Sequence, residues 1–425
     1  MTQQPHLTKF AVRRLQRRKR QEALLKWTGR LAFILVLTVL ASLLFTLINT
    51  GRTAFVQNTL AVDVTLDQEQ LRNVSADPEA ADYRQSDFQL LILSSLDRSM
   101  SINGYTVPSL SVFSLLSRSG SEDAIRRFLQ NRPGMVGQER RFYLPLSEDV
   151  DQYLKGHPSL ALSPAQIELI NKLVEAEKIK SRFNVRFLTG VDSQNAELAG
   201  IAGALTGSFL SLFVALGIAL PIGLGAAIFL EEFAPTNRFI RFIEINISNL
   251  AAVPSLVFGL LGLAFMINLI GLPRSVSLVA GLVFALRTFP TIIITTRSAL
   301  SAVPSSIKDG ALSLGATPVQ AVFHHKLPHA APGIFTGTII AMAQAFGETA
   351  PLLMIGMVAF VSDIPQTAMD PATTLPVQIF IWSESTSPAW QEKTAAAILI
   401  LLSVLVIINL FAAYLRRRFE RIYKA

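Results

Sequence analysis

Apolar positions run through this chain in long blocks separated by short polar stretches. Six blocks approach or exceed the ~20 residues that a helix needs to cross a bilayer core: 31–49, 201–230, 242–270, 275–296, 333–361 and 395–414. Lipid offers no partner to backbone N–H and C=O groups, so such blocks predict helices and not open sheet. The longer ones predict tilt, or emergence at one end. Residues 50–198, between the first two blocks, have a different rhythm. "LAVDVTL" sets Leu60, Val62, Val64 and Leu66 at alternate positions, and "RFNVRFL" does the same with Phe183, Val185 and Phe187, so both read as strands. Between them, "SPAQIELINKLVEAEKIK" predicts a helix: Ser163 caps it, Pro164 takes its first position, and Ile167, Ile170 and Val174 share a face. "SEDAIRRFLQN" (121–131) predicts another. The expected fold is an all-α polytopic membrane protein with six transmembrane helices. A mixed α/β domain, its first and last strands paired, is inserted between helices 1 and 2.

Composition agrees: 51% of the 425 residues are hydrophobic and 16% charged. The placement of charge says more than the net +8. Residues 1–30 hold nine Lys/Arg against one acid, Glu22, and the other end carries Arg416, Arg417, Arg418, Arg421 and Lys424. Basic residues flank membrane helices on the cytoplasmic side, so both termini are expected there, as an even number of crossings requires. The predicted order is a basic arm (1–30), an anchor helix (31–49), an extracytoplasmic domain (50–198), a five-helix membrane domain (199–415) and a basic tail (416–425). The basic arm leads directly into a span, which points to lipid headgroups and away from nucleic acid. No small-residue cleavage site follows the first span, so it reads as a retained anchor and not a signal peptide.

The absence of cysteine excludes disulfides, thiolate metal sites and cysteine nucleophiles. We find no GxxxxGKS/T loop, paired-carboxylate, His-rich or nucleophile constellation, which argues against an enzyme. A membrane-anchored sensor with 50–198 as receptor is a further alternative. The inner segments are too short to hold its signalling domain.

The longest inner loop lies between the fourth and fifth spans. "VPSSIKDGALSLG" begins with Pro304 and a Ser305/Ser306 cap, sets Ile307, Ala311 and Leu314 on one face, and ends at Gly315. "ATPVQAVFHHKLP" restarts with Thr317 as cap and Pro318 at the first position, presents Val319, Val322 and Phe323, and is expected to stop at Leu327-Pro328. Helices this short are unstable alone in water. Gly310 adds a cost of ~1 kcal/mol relative to alanine. The loop therefore needs a partner surface.

The spacing of this loop resembles the coupling loop of ABC importer permeases: a Glu-Ala-Ala triplet, three residues, Gly, nine residues, then Ile-x-Leu-Pro. Here Asp309-Gly310-Ala311 takes the triplet, Gly315 the glycine, and His325-Lys326-Leu327-Pro328 the end. Asp, Gly and His depart from the residue types of the pattern. "GETAPLL" (347–353) is similar to the signature of PstA-type permeases of the phosphate-specific ABC transporter, and "VPSLVFGLLGLAF" and "LPVQIFIWS" resemble the same family. The likeness covers residues from about 200 onward. It implies that loop 304–328 docks on a cytoplasmic ATPase. It also implies a second, PstC-type permease subunit, a PstB-type ATPase dimer and a PstS-type phosphate-binding protein. No cofactor is expected on this chain; ATP and Mg²⁺ belong to the ATPase. An importer of the same architecture for another oxyanion or small solute is the alternative, because the binding protein largely selects the substrate. Localisation in a bacterial inner membrane follows from the resemblance.

Two charges stand inside apolar blocks: Arg287 in the fourth and Glu348 in the fifth. Each is expensive in lipid, so each is a candidate functional residue. Arg287, with Thr288, Thr291, Thr295 and Thr349 as hydroxyl donors, is the expected lining of an anion pathway. Glu348 would orient an arginine or keep an anion from binding too tightly. Gln344 is expected one helical turn before Glu348 on the same face, where many members of the resembled family carry a basic residue.

Overall fold

A computed structural model describes residues 9–72, 83, 85–99, 101–102, 105–106, 108–158, 161–358 and 360–424. Residues 1–8 of the expected basic arm, Ala359 of the expected fifth span and Ala425 of the expected tail lie outside the described residues. The chain divides into two units, residues 1–50 and 51–425. The described part of the first unit is one long helix, α1 (Lys9–Gly51, its last residue counted in the second unit), whose apolar part forms a candidate span.

The second unit opens with a three-stranded antiparallel sheet in the order β2-β1-β3, formed by β1 (Val56–Thr65), β2 (Glu139–Pro145) and β3 (Ile179–Phe183). The alternation read from the sequence sets its register. Leu60 pairs with Leu144 and Val62 with Phe142, and all four side chains face one core. Helices that pack into that core include α2 (Phe88–Ser99), α3 (Arg118–Asn131), α4 (Glu148–Leu154) and α5 (Pro164–Glu175), with a short turn of helix at Ser109–Phe113 adding Val112 and Phe113. Ser163 and Gln166 form a capping box at the start of α5, with Pro164 at its first position.

The strand expected over "RFNVRFL" ends at Phe183. Asn184 accepts a hydrogen bond from the Phe187 amide and starts a short helix, α6 (Val185–Thr189). An N-cap thus overrides an alternating pattern three apolar residues long.

The membrane part contains α7 (Ala202–Ile228), α8 (Arg238–Ala251), α9 (Ser255–Leu261), α10 (Ser277–Ser301), α11 (Ser305–Ser313), α12 (Leu327–Phe346), α13 (Ala350–Met354), α14 (Leu375–Ser383) and α15 (Pro388–Lys424). Among the described residues four helices are long and apolar enough to cross a membrane, or five if one bent pair counts as a single span.

The expected third span is that bent pair. Residues Arg238–Ala251 and Ser255–Leu269 meet at 103°. Pro254 has no N–H to continue the ladder and biases Val253 away from helical dihedrals, so the chain turns there. The expected fifth span is also interrupted: α12 ends at Gly347, and α13 begins after Thr349.

Glycine lets the long helices touch. A Cβ on Gly281 would lie 2.4 Å from the Val214 Cβ, and one on Gly337 would lie 2.2 Å from the Thr295 Oγ1. Gly333 and Gly337, four apart, bring α12 onto α10 in the small-xxx-small manner of membrane helices.

Candidate functional site: a charged pair at two broken helices and a latched loop

Arg287 lies in α10, three residues before Pro290. Pro290 cannot donate to the Leu286 carbonyl, which loosens the helix beside the arginine. Glu348 does not sit within a continuous span, as the sequence suggested, but in the break between α12 and α13. The two side chains form an ion pair, Arg287 Nη2 to Glu348 Oε1, at 2.5 Å; they are 21% and 19% exposed. A second break closes on the first. α9 packs on α13 so closely that a Cβ on Gly259 would lie 2.6 Å from the Pro351 carbonyl oxygen. Two interrupted helices therefore meet beside one half-buried ion pair. Irregular backbone at membrane depth is tolerated where protein or a water-lined cavity satisfies it.

The other pathway candidates divide. Thr288 is buried and donates to the Phe284 carbonyl at 2.8 Å, and Thr295 donates to the Thr291 carbonyl at 2.8 Å, so both hydroxyls are engaged by their own helix. Thr291 and Thr349 are half-buried. Gln344 is exposed on α12, but Glu348 has left that helix, so the two do not share a helical face.

In the loop, α11 starts at Ser305 without a side-chain cap and ends at Leu314, followed by Gly315 at φ +92°. That left-handed conformation explains the glycine. Thr317 and Gln320 cap each other reciprocally, and Pro318 opens the next turn.

This second turn does not stop at Leu327-Pro328. A π turn (Ala321–Lys326) carries it into α12, so half of the loop is the beginning of a long helix. Pro328 is accommodated because it lies in the first turn after the π segment. Of the expected apolar faces, Ala311 and Val322 are buried and Ile307 half-buried. Leu314 is 91% exposed, with Val319 and Phe323 exposed beside it. Asp309, Gly310 and Gly315 are exposed, whereas Leu327 and Pro328 are half-buried.

A charge cluster absent from the sequence reading anchors the loop. Glu232, in the π turn Phe229–Phe233 that follows α7, has a side chain only 1% exposed and pairs with Lys308 of α11 at 2.7 Å and with Lys326 of the later π turn. Next to it Arg297, near the end of α10, pairs with Glu231 at 3.2 Å and Glu244 of α8 at 2.7 Å. The signal was present as "EEF" closing an apolar block, with lysines on both arms of the loop.

These features define the membrane component of a transport system. Residues 219–421 match the family described as binding-protein-dependent transport system inner membrane component, and residues 12–163 match a domain of unknown function (DUF3333). The chain is 32% identical to the probable ABC transporter permease protein YqgI of Bacillus subtilis, over 55% of this chain and 84% of that protein. It is 32% identical to the phosphate transport system permease protein PstC of Haemophilus influenzae (49% of this chain, 73% of that one). Identity to PstA of Yersinia pestis is 30% (51% and 72%). The chain belongs to the binding-protein-dependent inner-membrane permease family, and it is an ABC importer transmembrane subunit with the importer permease fold.

Proposed function

We propose that this chain is the membrane subunit of an ATP-driven importer of inorganic phosphate, lining part of the pathway with the Arg287/Glu348 region. The observation that carries this reading is the ion pair between Glu348 of "GETAPLL" and Arg287 of α10, set where two broken helices meet. The likeness to phosphate permeases of both the PstA and PstC types supports it. Arg287 supplies positive charge for an anion bearing one to two negative charges. Glu348 competes for the same guanidinium and so keeps the anion from being held too tightly. Gln344, Thr291 and Thr349 serve as uncharged donors in this proposal.

In this proposal six crossings place both termini in the cytoplasm, with the bent pair and the α12–α13 pair each counted once. Residues 50–198 then form a mixed α/β domain outside the membrane. The exposed Leu314, Val319 and Phe323 dock on a separate ATPase dimer, which holds ATP and Mg²⁺. Gly310 fits that role: among the described residues nothing outside its own helical turn lies within 4 Å of a Cβ placed there, so the bare surface is left for partner atoms. A second permease subunit and a soluble phosphate-binding protein complete the assembly.

Uptake of radiolabelled phosphate at low external concentration tests the reading, in cells lacking this gene and complemented with wild type or Glu348→Gln. Restoration by wild type alone is expected. Intact uptake without the gene, in a strain with no other phosphate carrier, would send the search to another oxyanion.

A further inference from the structure

A cavity of about 290 Å³ lies where four separate stretches converge. Asp192, Ser193 and Gln194 come from the segment joining the inserted domain to α7. Val358 and Phe360 follow α13, Trp382 ends α14, and Trp390 begins α15. The walls are aromatic: Trp382 and Trp390 lie 5.6 Å apart at 45°, and Phe360 is 54% exposed at the side.

One wall carries a carboxylate. Asp192 accepts hydrogen bonds from the Trp382 indole Nε1 at 3.1 Å and from the Ser193 amide at 2.9 Å. Burial raises its pKa, and only neutral donors oppose that shift. Among the described residues it forms no ion pair. The buried Lys393 donates instead to the Ala199 carbonyl at 2.9 Å, over the Phe187 ring.

A half-buried carboxylate without a cation, beside the partly open Trp390 ring and with the buried Trp382 fixing it through its indole N–H, suits an organic cation. The cavity falls just below the roughly 300–1,000 Å³ of typical small-molecule sites. That size suits one side-chain head group better than a whole metabolite.

We propose that this pocket receives a single alkylammonium or guanidinium group, presented as a lysine or arginine side chain by the soluble protein that delivers substrate. The assignment to that partner rests on the importer reading, which places all four stretches on the outer face.

The test starts with the pocket alone. The chain has three tryptophans, Trp27, Trp382 and Trp390, so Trp27→Phe leaves only the two pocket indoles to fluoresce. The full-length Trp27→Phe protein in lipid nanodiscs is titrated with n-butylguanidinium and n-butylammonium, and with 1-pentanol as the neutral control. A saturable change in emission with both cations and not with the alcohol is expected. Asp192→Asn should weaken it about tenfold or more, with thermal unfolding unchanged. If Asp192→Asn fails to fold, Trp390→Leu replaces it, with an expected loss of about threefold or more. An equal response to pentanol, or none that depends on the substituted residue, overturns the pocket.

The partner is tested by binding of the purified soluble substrate-binding protein to the nanodisc-held importer. Asp192→Asn or excess butylguanidinium should weaken association several-fold. Unchanged association overturns the assignment to that protein. A failure of phosphate uptake would contradict the importer reading while leaving the cation titration readable.

Discussion

Arg287 and Glu348, 61 residues apart in sequence, meet at 2.5 Å between α10 and the gap that follows α12. Neither side chain is sealed: each keeps about a fifth of its surface open. An open pair is available to a third charged group. Glu348→Gln is expected to lower low-concentration phosphate uptake about tenfold or more, the scale of a lost charge-assisted hydrogen bond. The charge swap Arg287→Glu/Glu348→Arg should recover membrane abundance but not uptake, because the guanidinium then projects from the gap and no longer from α10. Full uptake by the swapped protein would reduce the pair to a structural tie.

Glu232 gives a second, mechanical prediction. It holds Lys308 on one arm of the loop and Lys326 on the other, from a position almost closed to solvent. Removing a buried partner leaves uncompensated charge and costs on the order of 3 kcal/mol. Here that cost falls on the seating of α11, not on the distant sheet. Glu232→Ala should keep the protein in the membrane but uncouple it: uptake falls while ATP hydrolysis by the assembled importer persists. Lys308→Ala alone, which leaves Lys326 in place, should have a smaller effect. Parallel losses of uptake and of ATP hydrolysis in Glu232→Ala would argue for simple disassembly.

The loop and the charged pair were legible in the sequence to different depths. Spacing alone located Gly315 and the Thr317-Pro318 restart, because a left-handed turn and a capping box are local chemistry. The sequence does not show the end of the second turn, because a π turn carries the helix past Pro328 into α12, where the pattern of a Leu-Pro stop is overridden. Leu314 shares a helical face with Ala311 by count, yet it stands in solvent because the helix ends beneath it. Hydropathy found the third and fifth blocks but not their breaks: averaging over 20 residues hides one Pro254 or one Gly347. The Glu232 latch joins residues 76 and 94 positions apart, beyond the reach of any local pattern.

The two loop glycines should respond in opposite ways. Gly315 has φ +92°, so Gly315→Ala should destabilise the loop by about 1–2 kcal/mol. Gly310 is helical with open space around its Cβ position, so Gly310→Ala should stabilise α11 by about 1 kcal/mol. Hydrogen exchange of the loop amides in the isolated permease would report both. Uptake adds a distinction. If Gly310→Ala protects the loop yet lowers uptake in the assembled importer, the missing Cβ is needed by the docked ATPase. Unchanged uptake would mean that the docking surface lies elsewhere.

Glu148 offers a test through pH. It opens α4, beside the three-stranded sheet, and accepts a hydrogen bond from Ser387, just before α15. Burial raises its pKa above the ordinary glutamate range; the Ser387 hydrogen bond opposes this, and Glu197, Asp149 and Glu392 add to it. The folded protein thus binds this proton more tightly than the unfolded chain does. The resulting stabilisation is fully present below the unfolded-state value and is lost as pH rises through the folded-state value. Thermal unfolding of the purified protein from pH 4 to pH 8 should show that loss. Glu148→Gln keeps a hydrogen-bonding oxygen for Ser387 without the charge. It should flatten this part of the profile and unfold at a higher temperature than wild type at pH 8. A variant less stable at every pH would mean that the Ser387 bond to a charged carboxylate outweighs the burial.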